Sequence, residues 1–128
     1  METVNLPRLL LAAPASGSGK TTVSCAILRA LVKRGMRVAS FKSGPDYIDP
    51  MFHRSAVGAA YSSNLDLYLG DRETICRLLA DAGRTDLALI EGAMGLYDGL
   101  AGKSIEASAY DLGRVTKTPT ILVINGRG

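Results

Sequence analysis

The stretch "LLLAAPASGSGKTTVSCAILRAL", Leu9 to Leu31, decides the fold. An apolar run stops at small residues and two closely spaced glycines, Gly17 and Gly19. Lys20, Thr21 and Thr22 follow, and then Val23, Ile27, Leu28, Leu31 and Val32 recur at helical spacing. A buried strand, a glycine turn and a helix start, in that order, build a nest of backbone N–H groups that holds phosphate oxygens. The cradle would comprise Ser16, Gly17, Ser18, Gly19, Lys20, Thr21 and Thr22. Lys20 would reach the β- and γ-phosphates, and Thr21 would place its hydroxyl on a magnesium ion, so ATP and Mg2+ are the expected cofactors. The competing reading is an ordinary strand-to-helix turn in which Thr21 or Thr22 caps the helix. The usual G-x-x-x-x-G-K pattern is not met, because Pro14 stands where its first glycine would be. The cradle is therefore a variant P-loop.

Outward from this stretch the pattern repeats. Arg8 to Ala13 reads as a buried strand and Thr21 to Arg34 as a helix ended by Gly35. Arg37 to Lys42 is a second strand, after which Gly44, Pro45, Asp46 and Asp49-Pro50 force a loop. Asp71 to Ala82 is an amphipathic helix with Asp71 as its N-cap. Asp86 to Gly92 is a third strand, a helix is expected near Ser104 to Thr116, and Pro119 to Asn125 is a fourth strand. Strands apolar on both faces that alternate with helices predict an α/β fold, a P-loop NTPase-like parallel sheet with helices on both faces. No linker or repeat divides the chain. The last strand has no helix after it, so the ending reads as a cut inside a larger, truncated domain.

Composition narrows the function. The chain has 128 residues, 47% of them hydrophobic, which suits one globular domain. No apolar run approaches the roughly 20 residues of a membrane span, and no secretory signal is visible. Cys25 and Cys76 lie in helical patterns and read as free buried thiols, so a cytoplasmic protein with no membrane partner is expected. A net charge of +3, evenly spread, argues against a nucleic-acid partner. His53, the only histidine, reads as structural, on the surface or partly buried. Tyr47, Tyr61, Tyr68, Tyr97 and Tyr110 are too scattered to form a stacking platform, and loop capping explains Asn64 and Asp66 as well as ligand contact does.

Strand carboxyl ends gather on one edge of a parallel sheet, where ligands bind. "FKSGPDYIDP" (Phe41 to Pro50) should bring Lys42 and Asp46 there, the first against phosphate charge and the second for magnesium, with Asp49 further along. "LALIEGAMGLYDG" (Leu87 to Gly99) delivers Glu91 to the same edge, as a Walker B carboxylate would be. Asp98 faces a second substrate or belongs to an Asp-Gly turn.

Together "APASGSGKTT", "FKSGPDYIDP", "NLDLYL" and "EGAMGLYDG" resemble the N-terminal part of the cobyrinic acid a,c-diamide synthase family. The resemblance implies an ATP-dependent carboxylate-amine ligase of cobalamin biosynthesis that amidates corrin-ring carboxylates through an acyl phosphate. It implies a corrinoid (cobyrinate) substrate, with glutamine-derived ammonia from a separate C-terminal glutaminase domain, and it allows a homodimer. That glutaminase domain is not represented in these 128 residues, so the chain alone is expected to make no amide from glutamine. Lys20, Lys42, Asp49 and Asp98 would be catalytic, Tyr47 and Ile48 would border the corrinoid, and Thr21, Asp46 and Glu91 would hold the metal. The alternatives are a nickel-sirohydrochlorin a,c-diamide synthase, a dethiobiotin-synthetase-like ligase, and a nucleotide-switched partition or metal-chaperone ATPase. The last often carries an early second lysine in its P-loop, and Pro14 to Ser18 contain none.

Overall fold

The computed structural model describes residues 3–44 and 53–127. Among the described residues, five strands form one sheet: β1 (Arg8–Ala12), β2 (Val38–Ser43), β3 (Tyr61–Leu65), β4 (Leu87–Glu91) and β5 (Thr120–Leu122). Their order is β3-β2-β4-β1-β5, and every pairing is parallel. The helices are α1 (Lys20–Lys33), α2 (Arg72–Ala80) and α3 (Ala109–Thr116), with a π-helical turn at His53–Val57 and a 3-10 turn at Leu100–Gly102. No helix among the described residues is long and apolar enough to cross a membrane.

The strand pleat divides the core in two. Leu10, Phe41, Leu65 and Ile90 face α2 and α3 through Ile75, Leu79 and Leu112. Leu11, Val38 and Leu89 face the other way, against Leu28 of α1 and Val57. Alternate residues of one strand thus serve opposite layers, which is why β1 from Leu9 and β4 up to Ile90 are apolar without a break.

The sequence reading misses β3 and expects four strands. Tyr61–Leu65 is "YSSNL", whose three small polar residues have poor strand propensity. It becomes a strand because Ala39 to Ser43 of β2 offer it a full parallel register and it lies at the edge of the sheet. Two ends also move. The last helix starts at Ala109 rather than Ser104, because the Ser108 hydroxyl caps it by accepting from the Asp111 N–H at 3.2 Å. The α2 helix stops at Ala80, with its N-terminus capped as expected by Asp71, which accepts from the Thr74 N–H at 2.8 Å. The last strand is confined to Thr120–Leu122. Cys25 and Cys76 are not joined in a disulfide, but Cys76 is exposed and Cys25 is half-buried, against the expectation of two buried thiols.

Close approach of α3 to β4 depends on Gly92. A Cβ there would lie 2.8 Å from the Ala109 Cβ and 3.2 Å from the Leu11 carbonyl oxygen. Gly92→Ala should therefore cost about 1–3 kcal/mol by overpacking. We expect a Tm fall of at least about 4 °C on thermal unfolding. Gly126→Ala, where a Cβ meets nothing within 4 Å, should leave Tm unchanged.

Candidate functional site

The carboxyl ends of β1, β4 and β2 stand side by side at the centre of the sheet. The chain leaves β1 through Ala13 to Gly19, and α1 begins at Lys20. Gly17 and Gly19 have φ of 76° and 89°, the left-handed region that only glycine enters cheaply. No side chain caps α1, so the capping role considered for Thr21 or Thr22 does not occur. The first-turn N–H groups are left for a bound anion, which the helix dipole also favours.

The Thr21 hydroxyl instead donates to Glu91 Oε1 at 2.7 Å. Ser24, one helical turn on, donates to Glu91 Oε2 at 2.9 Å. Lys42 Nζ lies 3.1 Å from Glu91 Oε1. The last contact follows from register: Lys42 of β2 pairs directly with Glu91 of β4, so both side chains leave the sheet on the α1 face. Glu91 is 1% exposed. A carboxylate so buried is tolerable only with charge-assisted partners on both oxygens.

Lys20 is buried beside this group and donates to the carbonyl of Met94. Desolvation by burial holds its ammonium below the ordinary value of 10.5. The Glu91 carboxylate pulls the other way, Lys42 pushes it further down, and Asp98 pulls it up. A cavity of about 420 Å3 opens over these groups, lined by Ser16, Gly17, Gly19, Lys20, Thr21, Thr22, Lys42, Glu91, Gly92 and Met94. Asp98 is exposed and accepts from the Gly95 N–H at 2.8 Å, a contact of the turn reading, and its charge acts on Lys20. Ser18 donates to the Ala15 carbonyl at 3.0 Å and steadies the turn. Asp46, Tyr47, Ile48 and Asp49 lie outside the described residues.

Other polar residues take structural places. Asn64 donates to the Gly44 carbonyl at 2.8 Å, and Asp66 accepts from the Tyr68 N–H at 2.9 Å, so both act as loop braces. A larger cavity, about 610 Å3, runs along the β3 edge past Arg54, Ser62 and Asp66 and is separate from the cradle. His53 is fully buried, deeper than its sequence context implied, with Nδ1 on the Ser40 hydroxyl and Nε2 3.6 Å from Cys25 Sγ. Two of the scattered tyrosines, Tyr97 and Tyr110, do meet, with ring centroids 5.3 Å apart, but they are tilted by 52° and make no flat stacking platform. Thirteen positions separate them, and only the return of α3 to the loop after β4 brings them together.

The CobQ/CobB/MinD/ParA nucleotide binding domain model matches residues 9–118. The chain belongs to this family of nucleotide-binding domains. It is 49% identical over 126 residues to a cobyrinate a,c-diamide synthase of Thermoplasma volcanium, covering 98% of this chain and 27% of that protein. It is 50% identical over 122 residues to a hydrogenobyrinate a,c-diamide synthase of Rhodobacter capsulatus, covering 94% and 28%. A cobyrinate a,c-diamide synthase of Saccharolobus solfataricus is 48% identical over 121 residues, covering 94% and 27%. The chain thus spans little more than a quarter of the length of these relatives.

The buried lysine yields a test with opposite signs. Lys20→Met keeps the side-chain volume and removes the desolvated charge. We expect Tm at neutral pH to hold or rise while nucleotide binding falls by more than about tenfold, read by thermal unfolding and calorimetric titration. A folded pKa below the unfolded value means the folded state binds fewer protons, so this lysine's penalty is complete below its folded pKa. The penalty fades as pH rises toward 10.5, and the Tm difference between the two proteins should shrink in that window.

Proposed function

We propose that this domain binds MgATP and phosphorylates a carboxylate of a corrinoid for conversion to an amide. The observation that carries the reading is Glu91, a buried carboxylate tied to the P-loop helix by Thr21 and Ser24 and to β2 by Lys42. The names of the relatives favour cobyrinate or hydrogenobyrinate as acceptor over a nickel tetrapyrrole or diaminopelargonate. Ammonia released from glutamine by a separate active site would be the nitrogen donor.

A carboxylate resists amines because oxide is a poor leaving group. Attack of its oxygen on the γ-phosphorus breaks the bond to ADP and makes an acyl phosphate. Ammonia then attacks the acyl carbon, phosphate departs, and the nitrogen loses a proton. The protein's part is positioning and charge neutralisation. The N–H groups from Gly17 to Thr22 would hold the phosphates, and Lys20 would leave the Met94 carbonyl for the γ-phosphate. Lys42 would balance charge between phosphate and acceptor. The hydroxyl and carboxylate oxygens of Thr21 and Glu91, 2.7 Å apart, are hard donors that suit magnesium, with Asp46 as a further ligand. Bound there, magnesium would neutralise the triphosphate. Asp98, whose charge acts on Lys20, would accept the proton from the incoming ammonia. Asp49 would assist at the acceptor, and Tyr47 and Ile48 would border the corrinoid.

Glu91 and Asp98 should separate by function. Glu91→Gln should weaken MgATP binding and every step that follows. Asp98→Asn should leave nucleotide affinity within about twofold and slow amide formation by at least about a hundredfold, as losing a general base does. The check is nucleotide titration beside mass spectrometry of the corrinoid with ammonium as nitrogen source. Equal loss of nucleotide affinity in both variants would refute the split.

A further inference from the structure

We infer that the loop from Gly92 to Ser108 presents Tyr97 as the contact for the face of a flat apolar macrocycle, with Arg114 meeting one of its carboxylate arms. The inference rests on the corrinoid reading above and adds a contact that reading does not contain. Tyr97 is 61% exposed and Met94 is 58% exposed on the same loop. Single exposed apolar residues are ordinary. What sets Tyr97 apart is that its backbone is held on both sides while its ring stays largely exposed.

On the near side, the Leu96 N–H donates to the Ala13 carbonyl at 2.8 Å, and the Leu96 carbonyl accepts from the Tyr110 N–H at 2.9 Å. On the far side, the Asp98 carboxylate accepts from the Gly95 N–H at 2.8 Å. Glycines bracket the segment where nothing larger fits. A Cβ at Gly95 would lie 2.6 Å from the Pro14 carbonyl oxygen, and one at Gly99 would lie 2.3 Å from two carbonyl oxygens, those of Ser104 and Glu106. An aromatic ring fixed in this way loses little entropy when it is covered, which is the economy of a preorganised binding anchor.

The surroundings specify the ligand. Tyr110 packs beside Tyr97 at 52° between ring planes, so the two cannot lie flat on one ligand. Tyr97, the more exposed, makes the contact, and Tyr110 buttresses it. Arg114 holds its guanidinium 5.9 Å from the Tyr110 ring centroid, which presents a positive charge next to the aromatic surface. A face that pairs an apolar ring with a guanidinium suits a planar apolar ligand with anionic arms. The loop also delivers the Met94 carbonyl to Lys20, and Asp98 acts on the charge of Lys20, so a macrocycle on Tyr97 sits beside the phosphate cradle.

The test measures binding of cobyrinate and of fully methyl-esterified cobyrinate by equilibrium dialysis, with MgATP affinity and sedimentation measured in parallel. Tyr97→Phe should match the wild type. Tyr97→Ala should bind both corrinoids about tenfold more weakly or worse. Arg114→Ala should lose about two- to fivefold for the free acid and nothing for the ester. MgATP affinity should be unchanged in all three variants. Unchanged cobyrinate binding by Tyr97→Ala overturns the contact and leaves the corrinoid reading standing. A parallel loss of MgATP affinity in Tyr97→Ala also overturns it, because the ring would then merely hold the loop. A dimer that Tyr97→Ala dissociates without loss of cobyrinate binding assigns the surface to a second copy and overturns it too. A wild-type chain that binds MgATP and no cobyrinate overturns this inference and the corrinoid reading together.

Discussion

The Glu91 carboxylate is the constraint on which the site depends. It is charged and fully buried, and removing such a group from water costs several kcal/mol even after relaxation. Thr21, Ser24 and Lys42 offset that cost, each with a hydrogen bond to a charged group worth about 1.5–3 kcal/mol. The terms nearly cancel, so the cluster adds little to stability. Its effect is positional. It sets α1 against β4 and β2 at one rotation and height, and that places the start of α1 over the sheet edge where phosphate would lie.

Lys20 shows the same trade. Its ammonium is partly desolvated and pushed toward the neutral form, held by Glu91, Asp98 and a backbone carbonyl. An apolar residue would fold as well or better there. A cation kept in an unfavourable place gains its largest return when a polyanion arrives, because the low-dielectric surroundings strengthen the new contact. Lys42 is different: its in-register pairing with Glu91 makes it part of the fold and of the site together.

The loop after β4 combines tight packing and exposure. Its glycines admit neighbouring carbonyls at distances that forbid a side chain, while Tyr97 and Met94 between them stay in solvent. The loop touches the cradle through Met94, Ala13 just after β1 through Leu96, and α3 through Tyr110, so the cradle edge and the aromatic surface form one connected body.

Local chemistry alone determined much of this. A run of leucines, two glycines at positive φ, a lysine and a helical repeat specify strand, turn and helix from one short window, and β4 with its terminal Glu91 is equally self-announcing. The candidate residues Lys20, Thr21, Lys42 and Glu91 were legible because each lies within one residue of a strand end or a helix start. What tertiary structure decided depends on partners distant in the chain. β3 is a strand only because β2 pairs with it. His53 is buried where Ser40 and Cys25, both distant in the chain, meet its ring. The role of Ser24 and the meeting of Tyr97 with Tyr110 also come from this class, for no window around any of them contains its partner. Periodicity and turn chemistry report what a residue does to its own backbone, whereas register and packing across the sheet decide which side chains meet.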